Sequence, residues 1–410
     1  MLSETVDVLV VGGGPAGATA ARALATSGHR VMLLDREGKP KPCGGAVPPR
    51  CIEDFEIDDG QLKARIGSAR IIAPSTRSVD MVIAQSGGAG PAFVGMVDRD
   101  AFDPWLRDRA EAAGAVRRSG SYLGHRPRAG GGHIVTYLDK GDRRERQVET
   151  RIIIGADGAN SAVRRQAFNG RAKPPFVFAY HEIVVSPEAG PAFDPSRCDV
   201  IYDGAVSPDF YGWVFPHGTQ TSVGVGSARK GFDLKGATAL LRKRHGLDEA
   251  PLVRAEGAPL PLKPLRRWHR DEGIILAGDA AGVVAPSSGE GIYYAMLCGQ
   301  LVADAVVLAL ETGKAGHLAS ARQRFMRDHR MTFLALGLLQ RVWYASDSRR
   351  ERFVGMCADR DVQRLTWESY LNKRLVRRDP MAHARVFMKD LGQLSGLLSP
   401  WRRDARRADA

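Results

Sequence analysis

Three short segments carry residues suited to holding a dinucleotide. The first is Gly12-x-Gly14-x-x-Gly17, with Pro15 and Ala16 inside the same turn. Glycines at this spacing permit a tight turn and let backbone N–H groups approach a pyrophosphate, and the N-terminus of a following helix adds partial positive charge. Asp35 ends the next apolar run at a reach suited to ribose hydroxyls, with Arg36 beside it. A carboxylate at that place repels a 2′-phosphate. The second segment is Gly155-Ala156-Asp157-Gly158-Ala159-Asn160-Ser161, and the third is Leu276-Ala277-Gly278-Asp279-Ala280-Ala281-Gly282. Asp279 can hold a ribose or ribityl hydroxyl, and the helix start after it can face phosphate. Taken singly, each segment also fits a capped strand-to-helix turn. Three in one chain favour a nucleotide site.

Such residues must be positioned by strands and helices. Val6–Val11 is a continuous β-branched run and reads as a buried strand, Ala18–Ser27 as a small-residue helix stopped by Gly28, and Val31–Leu34 as the second strand. Together they make one βαβ unit. Arg151–Ile154 and Gly273–Ala277 are short apolar strands that deliver the second and third segments. Lys39–Pro49 is a Pro/Gly/Cys loop, Arg70–Ile83 is strand material, and Asp98 can cap a helix over Arg99–Ala113. Alternating runs at Asp199–Tyr202, Tyr211–Phe215 and Thr221–Gly226 predict an antiparallel sheet. Helix returns at Ala237–His245 and dominates from Ala295 onward. The expected fold class is α/β: a Rossmann-like nucleotide domain (1–69, 97–172 and 268–310) interrupted by an antiparallel substrate domain (70–96 and 173–267), then a helical region (311–410).

Composition narrows the function classes. With 410 residues, 44% hydrophobic and 26% charged, the chain reads as a globular protein of more than one domain. The N-terminal apolar run flows straight into the glycine motif and reads as a strand, not a signal peptide. The longest apolar stretch elsewhere is placed near Met331–Leu339, too short for a transmembrane helix. The five cysteines are odd in number and include no CxxC, which indicates neither a disulfide framework nor a zinc site. No metal site is expected. Net charge is +13, and residues 345–410 hold 15 Lys/Arg against 9 Asp/Glu, a net of +6. That basic tail reads either as a solvated helical surface or as a face for anionic lipid. No nucleic-acid module is present.

The trio of segments resembles the para-hydroxybenzoate-hydroxylase-type FAD superfamily, which shares the N-terminal GxGxxG, a mid-chain GADGxxS and a later GDAA. The resemblance implies FAD as cofactor and puts Arg99, in VDRDAFDPWL, where that superfamily places an arginine on the flavin's phosphate or ribose. The finer similarity is to geranylgeranyl reductases. Lys41–Pro48 (KPCGGAVP, with Cys43, Gly44 and Gly45) is similar to that family's PCGGAIP segment. Tyr211–Pro216 resembles its WVFP strand, and Ser288–Tyr293 its SGEGI run. Phe353–Asp359 with Leu365–Arg374 looks like the (bacterio)chlorophyll branch. No plant-type transit peptide precedes the match, which favours a bacterial protein, cytoplasmic or peripheral on the photosynthetic membrane.

The resemblance implies reduction of the geranylgeranyl tail of bacteriochlorophyll, or of geranylgeranyl diphosphate, to phytyl, with NADPH as transient electron source. No second GxGxxG is present, which leaves a reduced ferredoxin open as donor. An isolated trisubstituted alkene has no carbonyl to stabilise a carbanion, so protonation is expected to lead or accompany hydride delivery. Gly289 and Gly291, with Ile292 after them, would let backbone lie close under the isoalloxazine. Cys43 can help deliver a proton or be a small loop residue, and Glu290 can be an acid or a helix-start carboxylate. Tyr211, Trp213 and Phe215 can line a prenyl channel or fill core, and His217 reads as a loop residue. An FAD aromatic hydroxylase and a prenyl-binding carrier of related fold are the competing functions.

Overall fold

The computed structural model describes residues 4–38, 42–83, 93–170, 172–190 and 193–373. Lys41 of the KPCGGAVP segment, residues 84–92 and the basic stretch 374–410 lie outside the described residues. The chain divides into two units. One comprises Met1–Cys43, Asp98–Phe176 and Ala258–Phe333; the other comprises Gly44–Val97, Val177–Gly257 and Leu334–Ala410.

The first unit is built on a twisted sheet whose inner strand is Glu4–Val11. That strand pairs in parallel with Val31–Asp35 on one side and Glu145–Gly155 on the other. Val8, Leu9 and Val10 are fully buried, as a continuous apolar run in an inner parallel strand must be. Glu145–Gly155 also pairs in parallel with Ile274–Leu276. Val116–Pro127, His133–Asp139 and Glu145–Gly155 form an antiparallel meander. Helix Pro15–Thr26 crosses from the first strand to the second. Helix Ile292–Thr312 packs on it so closely that a Cβ on Gly299 would stand 2.2 Å from the Ala16 carbonyl oxygen.

Helix Ile292–Thr312 corrects the placing of the most apolar stretch near Met331–Leu339. It has 21 residues, and an 18-residue window within it has a mean hydropathy of 1.7, enough by length and composition to cross a membrane, yet 72% of that window is buried inside the protein. Its interruption by Gln300 and Asp304 hides it from a search for unbroken apolar runs.

The second unit contains a sheet in the order Leu252–Pro261, Phe176–Val185, Gln220–Ser227, Gly212–His217, Arg197–Ile201, Ser68–Ile72, Ser78–Val82. From Phe176–Val185 to Ser78–Val82 the neighbouring strands are antiparallel, except that Arg197–Ile201 runs parallel to Ser68–Ile72. Helix Leu234–Arg244, capped by the Asp233 carboxylate on the Gly236 N–H, covers one face. Val184, Ile201, Val214, Val223, Val225 and Leu241 form the core there. Arg70–Ile83, read as strand material, forms a hairpin: the chain reverses at Ala73–Arg77 with Thr76 left-handed at φ +68°. Asp98 sits at the N-cap of helix Arg99–Ala112, but its side chain makes no capping hydrogen bond there. Beyond helix Ala319–Trp343, the described part of the C-terminal region is helical, at Asp347–Met356 and Arg360–Asn372.

Candidate functional site

The register of the parallel strands decides where the motifs meet. Val11 pairs with both Leu34 and Gly155, and Gly155 pairs with Leu276. Four strands therefore end level. Backbone bonds carry that register one step into the loops: Gly12 N–H donates to Leu34 O at 2.8 Å, Ala156 N–H to Val11 O at 2.8 Å, and Ala277 N–H to Gly155 O at 2.9 Å. The Gly12, Asp35, Ala156 and Gly278 turns thus emerge along one edge, where open parallel sheets bind ligands.

The first turn has no room for side chains. Gly12 has φ +106°, and a Cβ on it would stand 2.4 Å from the Ala156 carbonyl oxygen. A Cβ on Gly17 would stand 1.9 Å from the Gly12 carbonyl oxygen. Gly14 is different: the nearest atom to its Cβ position is Arg99 Nη2, at 3.8 Å. Helix Pro15–Thr26 starts at Gly14 with Pro15 in its first turn and no side-chain cap, so its first N–H groups remain suited to an anion.

Asp35 accepts from Gly13 N–H at 2.6 Å and from Glu37 N–H at 2.8 Å, so its carboxylate is already oriented by the two turns. Arg107, buried on helix Arg99–Ala112, lies 3.6 Å from Asp35 and donates to Gly13 O at 3.4 Å. Arg36 at the same turn is exposed.

Asp157 is committed to its own helix. It accepts from Ser161 Oγ at 2.5 Å, Ala162 N–H at 2.6 Å and Val163 N–H at 3.2 Å, which caps Ala162–Ala167. Gly158, at φ +82°, has no atom within 4 Å of its Cβ position. Arg164 ties the second motif to the third: Nη2 donates to Ala159 O at 2.5 Å and Nη1 to Ala280 O at 3.1 Å. Burial pulls its guanidinium below the ordinary arginine range, against the attraction of Asp157.

Gly278, at φ +60°, would place a Cβ 2.7 Å from Ala16 Cβ, so the third motif backs directly onto the first helix. Asp279 is buried beside it. The next turn closes on itself through Ala285 N–H to Glu290 O at 2.9 Å and Gly289 N–H to Ala285 O at 3.1 Å, with Gly289 at φ +66°. Gly291 is then the N-cap of the long helix, which opens with buried Ile292. Burial pushes the Tyr294 phenol well up, and the Glu290 carboxylate adds to it, which places that charge against the first helical turn.

Arg99 is held bidentately by Asp103, at 2.6 and 2.7 Å, and both are buried. Burial opposes its charge, but Asp103 and then the Cys43 sulfur more than offset that, and the guanidinium is held far above its ordinary range. Cys43 is half-buried, in contrast to Cys298 and Cys357, whose thiols burial pushes up to about 12.

In the second unit, Gly44 and Gly45 are fitted against the strand Gly212–His217. A Cβ on Gly44 would meet Phe215 at 3.1 Å, and one on Gly45 would meet His217 Cε1 at 2.4 Å. His217, expected in a loop, is a buried strand residue bonded through Nε2 to the Gly44 carbonyl at 3.1 Å. Pro216 hides this from sequence because a proline in a strand normally marks its end. Val214 faces the helix-covered core. By alternation, Trp213, Phe215 and His217 share the opposite face. Tyr211, just before the strand, stacks on Phe210 with ring centroids 4.4 Å apart.

The first unit's residues fit a dinucleotide: a cradle that any Cβ would fill, an uncapped helix start, and the Arg107 Nε atom buried with no hydrogen-bond partner among the described residues. Arg107 and Arg164 are the site residues that sequence reasoning missed. Nothing local marks an arginine that acts on a loop dozens of residues away.

Residues 5–193 match the sequence model of a family described as an FAD binding domain. The chain is 51% identical over 394 residues to geranylgeranyl diphosphate reductase of Rhodobacter capsulatus, covering 96% of this chain and 98% of that protein. It is 36% identical over 404 residues to the chloroplastic geranylgeranyl diphosphate reductase of Oryza sativa subsp. japonica, covering 94% of this chain and 86% of that one. It also resembles the crystal structure of a geranylgeranyl bacteriochlorophyll reductase-like protein from Thermoplasma acidophilum, with a TM-score of 0.78, 22% identity, and coverage of 96% and 99%. At that identity the likeness speaks for the fold.

Proposed function

This chain belongs to the geranylgeranyl diphosphate reductase family, and we propose that it is the flavin-dependent enzyme that hydrogenates the geranylgeranyl chain of (bacterio)chlorophyll, or of geranylgeranyl diphosphate, to phytyl in three successive steps. The observation that carries this reading is the extent of the match to the Rhodobacter capsulatus reductase, which spans 96% of the chain and so includes both units.

Bound FAD, once reduced, supplies the hydride. NADPH, docking transiently, is the proposed source of electrons. Gly12, Gly14, Pro15, Ala16 and Gly17 would cradle the pyrophosphate, and Arg99 would neutralise it. Asp35 and Arg36 would take the adenosine ribose. Gly158, Gly278 and Asp279 would take the ribityl chain, and Asp157 would serve by fixing the turn that presents Gly158. Gly289, Gly291 and Ile292 would lie under the ring, and Gly44 and Gly45 are further candidates for holding the cofactor.

The alkene carbons need a proton as well as a hydride. Cys43, with Glu290 as the other acid, would deliver it. Tyr211, Trp213 and Phe215 would line the prenyl chain, exclude water and offer a ring face to positive charge developing at a tertiary carbon. The basic residues of 345–410 would rest on an anionic membrane in a bacterial cell, which suits a lipid-like substrate.

Anaerobic incubation with geranylgeranyl-bacteriochlorophyll or geranylgeranyl diphosphate and NADPH, read by mass spectrometry, tests the reading. Successive gains of two hydrogens are expected. A hydroxylated product that requires O2, or a colourless protein that binds prenyl chains without turnover, would overturn it. Cys43→Ala, assayed with pre-reduced flavin, is expected to lower the rate by about 10²-fold. An unchanged rate removes Cys43 from proton delivery.

A further inference from the structure

A line of polar side chains crosses the sheet of the second unit on the face opposite helix Leu234–Arg244. Gly224 pairs with Trp213 on one neighbouring strand and with His181 on the other. The Trp213 ring lies over it and His181 crowds it from the other side: a Cβ there would stand 2.3 Å from Trp213 Cζ2 and 2.5 Å from His181 Cβ. Both rings also reach the same hydroxyl, two residues along. Trp213 Nε1–H donates to Ser222 Oγ at 3.0 Å, and Ser222 Oγ lies 3.0 Å from His181 Nδ1.

An indole N–H can only donate, so Ser222 accepts from Trp213, and its Oγ shares one further hydrogen bond with His181 Nδ1 whose direction is set by the imidazole tautomer. The other ring nitrogen of His181 is Nε2. That atom is buried without a hydrogen bond among the described residues and faces the Glu256 carboxylate at 3.7 Å. Burial raises Glu256, but His181 and Arg254 more than offset this and hold the carboxyl below its ordinary range. An indole nitrogen cannot accept a proton, so the bond from Trp213 to Ser222 holds a ring in place.

We infer that Ser222, backed by His181, is a positioning residue for Trp213, fixing the plane of the indole over Gly224 and so the wall against which the prenyl chain lies. This rests on Trp213 being part of that wall. Ser222 and Trp213 are both buried, and a buried hydroxyl shared between two rings holds each more tightly than apolar packing alone, because rotating either ring leaves a buried polar group unsatisfied.

Ser222→Ala removes one oxygen. With geranylgeranyl diphosphate as the varied substrate, KM is expected to rise about tenfold while kcat stays within about twofold and FAD affinity is unchanged. In 15N-tryptophan-labelled holoenzyme, the Trp213 indole N–H signal, assigned by its loss in Trp213→Phe, is expected to shift upfield and exchange faster. Ser222→Thr, which keeps the hydroxyl, should restore both. If Ser222→Ala does not fold, His181→Gln is measured in the same way, with a smaller rise in KM expected. Wild-type KM in Ser222→Ala alongside a raised KM in Trp213→Ala would overturn the positioning role and leave the wall in place. Wild-type KM in Trp213→Ala would instead overturn the wall, and this inference with it. Parallel losses of kcat and FAD affinity would mark Ser222 as merely structural.

Discussion

Arg99→Met is expected to cost about 3–5 kcal/mol of stability and to release FAD, because it leaves the Asp103 carboxylate buried without its partner. The pair is buried, bidentate and one helical turn apart, at 2.6 and 2.7 Å, so no water replaces the lost guanidinium easily. The two losses have different causes and can be separated. Arg99→Met combined with Asp103→Leu removes both charges and should recover most of the melting temperature, since an apolar pair often substitutes for a buried ion pair. FAD affinity should stay down by about 10–100-fold, the value of one charge-assisted contact. Thermal melts and flavin fluorescence titration check this. Recovery of FAD binding in the double variant would show that Arg99 acts only through the fold.

Gly17→Ala is expected to be nearly as severe for a different reason. The new methyl group would stand 1.9 Å from the Gly12 carbonyl oxygen. The obstacle is backbone and a Cβ has no rotamer to change, so nothing can swing aside; the first turn must open instead. A cost of about 2 kcal/mol or more is expected from the overpacking. FAD affinity should fall by about 10²-fold, because the turn that opens is the one proposed to present N–H groups to the pyrophosphate. Gly316→Ala is the control. Nothing lies within 4 Å of its Cβ position, and both stability and FAD binding should be retained. Equal behaviour of the two variants would remove the close-approach argument for the motif.

These two predictions differ in what made them visible. Gly17 was legible in the sequence, because strand, glycine turn and helix follow one another within about twenty residues and each obeys a local rule. The same holds for the strands that deliver Gly155 and Gly278 and for the helix that begins at Arg99. Asp103 as the partner of Arg99 is also within sequence reach, four residues along one helix. Asp157 shows the limit of such reading. Its type and place suit a nucleotide or a helix cap equally, and only the bonds to Ser161, Ala162 and Val163 show that the cap has claimed it.

The rest depended on register between strands far apart in the chain. Periodicity places Trp213, Phe215 and His217 on one face, but it cannot say which strands flank theirs or how those strands are shifted. The pairing of Gly224 with both Trp213 and His181 is what brings two rings onto Ser222, and the level endings of Val11, Leu34, Gly155 and Leu276 are what bring three motifs to one edge. The sequence alone therefore named FAD as the cofactor and the family. The neighbours that act through others, Arg107, Arg164, His181 and Ser222, were decided by tertiary structure, because their partners are set by strand and loop pairing and leave no trace in local spacing.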